Sequence, residues 1–209
     1  MTPSRVPPRA EAVLRYADLR STDRVLDVGC GEGEVALRVA PAVRHVHGFD
    51  VSPERVARAT RHAAEQKVAN ATFETSAIQD FPFERKTWDV ALFMRVWGKK
   101  TGGERRVGFD ELTVILPATR RQLVMVAGKH LDEDLPEMLD VFDDFGFDGL
   151  CFTRPDLILA NRREADVRLG ELPPLAIVPS AWARDRSFGS GSSTAIDHLK
   201  PGLFLGALR

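Results

Sequence analysis

The chain lacks the features that mark several broad protein classes. It has two cysteines, Cys30 and Cys151, in 209 residues. Two cysteines so far apart make neither a disulfide framework nor a metal cluster, and they fit a reducing compartment. No apolar run approaches the ~18 residues that a membrane span needs. The opening "MTPSRVPPRAEAVLRY" has no apolar signal core. These absences lead us to expect a cytoplasmic protein with no membrane partner. Net charge is −1, so there is no global field to draw in a polyanion. There are no internal repeats and no heptads, and the one low-complexity stretch is "SFGSGSS", 187–193.

What is present is ordinary globular composition, 44% apolar and 28% charged, at a length suited to one domain with a substantial core. From residue 10 to about 163 the pattern alternates. "EAVLRYADL" reads as a short helix, "RVLDVG" as a strand, "EVALRVAPAV" as a helix and "VHGFDV" as a strand. "SPERVARATRHAAEQK" is a marked helix: Ser52 caps it, Pro53 suits its first turn, and Val56, Ala59, Thr60 and Ala63 share a face. "ATFETS" and "WDVALFM" read as strands. Phe109, Leu112, Ile115 and Leu116 follow helical spacing up to Pro117. "RQLVMVAG" is a buried strand. Leu135, Met138, Leu139 and Phe142 mark a last helix with Gly146 as its stop. Strands alternating with helices imply an α/β fold with a mostly parallel sheet covered on both faces.

The most informative stretch is "VLDVGCGEGEVAL", 25–37, where glycine recurs at every second position as a strand hands over to a helix. In open α/β sheets, ligands bind at the carboxyl ends of the strands. Glycine there lets the backbone turn sharply and approach a ligand, and the next helix aims free N–H groups at the same spot. The spacing excludes a dinucleotide fingerprint, G-x-G-x-x-G, because Glu34 stands where its third glycine belongs. No G-K-[ST] follows, so there is no P-loop. A tight connection alone would also use such glycines, and an aspartate at a strand end can be a helix cap.

The run D-x-G-x-G-x-G, here "DVGCGEG", resembles the first motif of class I S-adenosylmethionine (SAM)-dependent methyltransferases. "HGFDVS", "SAIQDFPF" and "WDVALF" continue the likeness. The resemblance implies a Rossmann-like, mostly parallel seven-stranded sheet with an antiparallel C-terminal strand. It implies SAM as cofactor and S-adenosylhomocysteine (SAH) as product. It places Asp27 near the amino group of the methionine moiety. Gly29, Cys30, Gly31 and Gly33 lie along the ligand, and Asp50 meets the ribose hydroxyls. Val51, Ala77 and Ile78 border the adenine, and Arg95 follows the fourth strand. Where many relatives carry an adenine-binding aspartate, this chain has Ala77, with Asp80 near.

The acceptor is less legible. The N/D-P-P-Y/F/W run of relatives that methylate planar amino groups is absent; "FMRVWG" stands there. C5 methylation of cytosine needs a nucleophilic cysteine, and neither Cys30 nor Cys151 is well placed. Arg95, Trp97, Lys99, Lys100, Arg105 and Arg106 cluster in a cationic, aromatic loop, either a site for an anionic acceptor or a solvated loop hinged at Gly98, Gly102 and Gly103. His130, after the fifth strand, is a general-base candidate or an exposed loop histidine, and His198 has the same standing. We expect methyl transfer to an O or N atom of a small, anionic metabolite. RNA is the alternative acceptor, and a SAM- or SAH-binding protein without transfer activity is a third reading. Homo-oligomerisation stays open.

The domain expectation is a SAM-binding core over 1–162 and an insertion or extension near the acceptor site over 163–202, with Trp182 in it. Residues 203–209 are a candidate closing strand, in competition with "LILANR", 157–162.

Overall fold

The computed structural model describes residues 8–94, 108–126, 131–152 and 157–167. Helix α1 (Pro8–Tyr16) leads into strand β1 (Arg24–Val28), whose burial is continuous after Arg24, as a central parallel strand requires. Helix α2 (Glu34–Val39) follows, and a 3-10 turn over Ala40–Ala42 ends it where Pro41 removes a donor. The helix expected over 34–43 is thus two short pieces. Strand β2 (His45–Asp50), helix α3 (Pro53–Glu65) and strand β3 (Ala71–Thr75) come next. The Ser52 hydroxyl accepts from Arg55 N–H, as a cap should. Val56, Ala59 and Ala63 are buried, while Thr60 stays at the exposed margin.

Strand β4 (Trp88–Met94), helix α4 (Phe109–Ala118), strand β5 (Thr119–Val126) and helix α5 (Leu131–Asp144) continue the alternation. Pro117 lies inside the last turn of α4 rather than beyond it. Gly146 closes α5 with φ +75°. Strands β6 (Phe147–Phe152) and β7 (Leu157–Arg162) complete the sheet.

The sheet has seven strands in the order β3-β2-β1-β4-β5-β7-β6. β1 to β5 are parallel, and β7 runs antiparallel to both neighbours. "LILANR" therefore fills the reversed position beside β5; residues 203–209 lie outside the described residues. Helices α1 and α2 cover one face, where Val13, Val35 and Val39 pack with Val25, Val46 and Val90. On the other, α4 and α5 bring Leu112, Ile115, Met138 and Phe142 against Leu26, Val28 and Phe93.

Residues 76–87, between β3 and β4, contain no helix. Aromatic rings cover that corner instead. Phe81 stacks on Phe49 with ring centres 4.2 Å apart, and Phe83 meets Phe81 edge-on at 4.8 Å. His47 stacks on Trp88, whose ring also carries the Arg24 guanidinium.

At the amino edge of the sheet, Arg121 is buried on β5. It donates to both carboxylate oxygens of Asp23, at 3.1 and 2.5 Å, and to the Asp18 carbonyl at 2.7 Å. Arg20 pairs with Asp18 and donates to the Asp166 carbonyl. The chain beyond β7 thus begins at the edge opposite the glycine turn.

Candidate functional site

Strand β1 runs straight into the turn 29–33 because Gly29, Gly31 and Gly33 all hold positive φ. The individual glycines do different jobs. A Cβ on Gly33 would stand 2.9 Å from the Phe73 ring and 3.1 Å from Ala59, so Gly33 is bare to let β3 and α3 close in. A Cβ on Gly31 would meet nothing within 4 Å. Its surface is open, which is what a ligand approaching the backbone requires.

Two acids flank this turn. Asp27, at 2% exposure, lies at the end of β1. One oxygen takes the backbone N–H of Ala36, an otherwise free donor in the first turn of α2, so Asp27 is a helix cap built into a strand. Its Oδ2 has no hydrogen-bond partner. Burial, with Asp50 adding repulsion, pushes the carboxyl up to about 7. A buried carboxylate with an idle oxygen is costly unless a donor or cation completes it.

Asp50 ends β2 and is 6% exposed. Gly31 N–H donates to its Oδ2 and Ser52 N–H to its Oδ1, both at 3.0 Å. Those bonds fix the carboxylate across the mouth of the turn. Each oxygen keeps a further acceptor site for a vicinal diol. Val51, the next residue, is 64% exposed, the most exposed large apolar side chain among the described residues. It offers an apolar surface beside the acid.

Cys30 serves the fold. Its N–H donates to the Phe49 carbonyl and its carbonyl accepts Gly33 N–H. The thiol lies against the Gly31 carbonyl, and burial with Asp27 and Asp50 nearby holds it strongly protonated. The Ala77 carbonyl accepts from Ser76 Oγ and from the amides of Asp80 and Phe81, which shapes the turn after β3. Ile78 packs on the core and Asp80 is exposed. Arg95, Trp97, Lys99, Lys100, Arg105, Arg106, His130, Trp182 and His198 lie outside the described residues. No cluster of three or more His, Cys, Asp or Glu among the described residues could hold a metal.

The geometry also joins to the turn other residues that the sequence does not connect with it, among them His62, which reads from the sequence as a helix residue explained by packing or exposure. Arg58 and His62, one turn apart on α3, both reach Glu32 at the tip of the glycine turn. Arg58 Nε pairs with Glu32 Oε1 at 3.0 Å, and His62 Nδ1 lies 3.3 Å from the Glu32 carbonyl. Phe73 supports the turn from below. The i, i+4 spacing of 58 and 62 was the one available signal, and it does not say which loop the pair faces.

Strand order, an open backbone turn and two acids at adjacent strand ends define an α/β domain with a candidate ligand site at the carboxyl edge of its sheet. Residues 25–116 match a family model described as Methyltransferase domain. Residues 25–116 thus form a methyltransferase domain, on a fold shared with solved SAM-dependent methyltransferases. An uncharacterized RNA methyltransferase of Staphylococcus epidermidis is 32% identical over 123 residues, 56% of this chain and 25% of that protein. An uncharacterized methyltransferase of Bacillus subtilis is 33% identical over 78 residues, 37% of this chain and 31% of that one. The chain thus spans about a quarter to a third of these relatives. In structure, the YcgJ protein of Bacillus subtilis aligns over 75% of this chain and 97% of its own, at TM-score 0.54 and 16% identity. A geranyl diphosphate C-methyltransferase of Streptomyces coelicolor, solved with Mg2+, geranyl diphosphate and SAH, aligns over 74% of this chain and 79% of its own. Its TM-score is 0.57 and its identity 13%. The described residues contain no helix long and apolar enough to cross a membrane.

Proposed function

We propose that this domain transfers a methyl group from SAM to an oxygen or nitrogen atom of a small, anionic acceptor. The observation that carries the reading is the idle, buried Oδ2 of Asp27 behind a backbone turn whose open side is Gly31. SAM, when bound, supplies a methyl on a positively charged sulfur, already electrophilic. What this chain must supply is binding, orientation and exclusion of water. The Asp27 carboxylate favours a cationic ligand, because a positive group offsets the cost of its burial. Asp50, fixed by Gly31 and Ser52, accepts from ribose hydroxyls. Val51 and Ile78 give the base an apolar bed. Gly29, Cys30, Gly33 and Ala77 contribute main chain, and Arg95 belongs to the same cofactor side.

For the acceptor, Trp97, Lys99, Lys100 and Trp182 are the proposed contacts and His130 the proposed base. Residues 163–202 are proposed to shape that pocket and 203–209 to pack at the sheet edge.

RNA is the second reading, favoured by the name of the Staphylococcus relative. Methylation at C5 of a pyrimidine needs a thiolate adding to the ring, which the buried, protonated Cys30 does not provide. Cys151 sits on β6, three strands from β4, or about 14 Å at ~4.8 Å per strand. Calorimetry with SAM, SAH and NADH on the wild type and Asp50→Ala tests the cofactor. We expect SAM and SAH to bind, the substitution to weaken both, and NADH not to bind. Absence of SAM binding would sink the reading. A steep loss of acceptor binding with added salt would move the acceptor to RNA.

A further inference from the structure

The glycine turn poses a physical problem. Three of its five residues are glycines in left-handed conformations, and such a segment loses much freedom when a ligand orders it. A turn that is rigid beforehand binds more tightly. The β2 side is secured by Cys30 to Phe49 and by Gly31 to Asp50. The solvent side has one residue with a functional side chain, Glu32, and α3 holds it twice. The Arg58 guanidinium pairs with its carboxylate at 3.0 Å, and the His62 ring nitrogen meets its carbonyl at 3.3 Å. These are contacts to two different parts of one residue, from positions a single helical turn apart.

We propose that Arg58 and His62 are positioning residues for the cofactor turn: they grip Glu32 from α3 and set the main chain at Gly31 before the ligand arrives. The proposal rests on the reading of the turn as a SAM site and adds to it two residues that touch neither ligand nor reacting atoms. Both side chains act from outside the core, so their loss frees the turn without unfolding the domain. Arg58 and Glu32 are about half exposed, so the pair by itself contributes little, and salt screens it. The bond from His62 to a backbone carbonyl is the larger restraint, because it acts on the main chain directly.

The test is SAH calorimetry and thermal unfolding on the full chain with His62→Phe, His62→Asn, Arg58→Met and the double variant His62→Phe/Arg58→Met. The asparagine amide stands where Nδ1 stood and keeps a donor. We expect His62→Phe to weaken SAH binding about three- to tenfold, the worth of one hydrogen bond. The unfolding midpoint without ligand should move by less than about 3 °C. His62→Asn should recover affinity to within about twofold. Arg58→Met should weaken binding about twofold at low salt and not at all at 0.5 M salt. Amide exchange at Gly31 and Glu32 in the ligand-free double variant should quicken. Wild-type affinity in the double variant overturns the proposal, and so does a loss at His62→Phe that tracks unfolding and is not recovered by asparagine. If the wild type binds no SAH, the functional reading fails and this role fails with it. SAH binding unaffected by the variants leaves the reading standing and removes the role alone.

Discussion

At the scale of single residues, the fold decides how Asp27 titrates. Asp27 is raised to about 7 by burial, against 3.8 in an unfolded chain. Between those values the folded protein binds a proton that the unfolded chain does not. Asp27 therefore supports folding fully below pH ~4 and withdraws that support as pH rises toward 7. Asp27→Asn keeps an oxygen for the Ala36 amide and removes the titration. The unfolding midpoint of the variant minus that of the wild type should rise from pH 4 to about pH 7 and level off above it. A difference that stays flat would mean Asp27 does not titrate there. SAM, by offering a positive charge, should bind wild type more weakly below pH 7.

The glycines separate by the same logic. Gly33→Ala meets both a left-handed backbone and the Phe73 ring, and should cost about 2–4 kcal/mol of stability. Gly31→Ala meets open space and should cost about 1 kcal/mol, yet its methyl occupies the ligand's approach. Chemical denaturation with SAH titration should show opposite ranking of the two: Gly33→Ala worse for folding, Gly31→Ala worse for binding per unit of stability lost.

At the scale of elements, the amino edge is held by charge rather than by apolar packing alone. Asp23, 2% exposed, accepts from Arg121 of β5 and from the Arg20 amide, tying the entry to β1 across the sheet. Asp23→Ala leaves a buried guanidinium short of its partner and should cost about 3 kcal/mol in denaturant unfolding. SAH affinity under folding conditions should not change, because this network lies at the far end of β1 from the turn.

Elements were legible where periodicity is local. The cap at Ser52, the stop at Gly146 and the alternation of β1 through α5 follow from patterns within a few residues. The placement of Leu157–Arg162 between β5 and β6 was not, because two apolar segments, 157–162 and 203–209, competed and pairing across the sheet decides between them. Asp27, Asp50 and the glycine spacing were visible as a motif. The sequence sets capping and ligand binding by Asp27 against each other; the structure shows one oxygen capping and the other idle. Phe73, Arg58 and His62 were invisible as partners of the turn, since their contacts join segments 26 to 40 residues apart.

At the scale of the whole molecule, the parts divide by edge. The turn, Asp50 and Val51 lie at the carboxyl ends of the strands. The chain after β7 starts at the amino ends, where Arg20 holds the Asp166 carbonyl. For residues beyond 167 to reach the acceptor side, the backbone must first cover the length of a strand, about 20 Å at ~3.3 Å per residue. A chain ending at Val167 should therefore keep SAH affinity within about threefold, since each described residue of the cofactor side precedes it. The truncated chain should lose methyl transfer if 163–202 shapes the acceptor pocket. Loss of SAH binding on truncation would place part of the cofactor site in the tail.

The way Glu32 is held from α3 and Gly33 rests on Phe73 limits what protein engineers could borrow. The heptapeptide from Asp27 to Gly33, spliced into a foreign sheet, would arrive without its scaffolding. A functional transplant would have to run unbroken from Arg24 to Thr75.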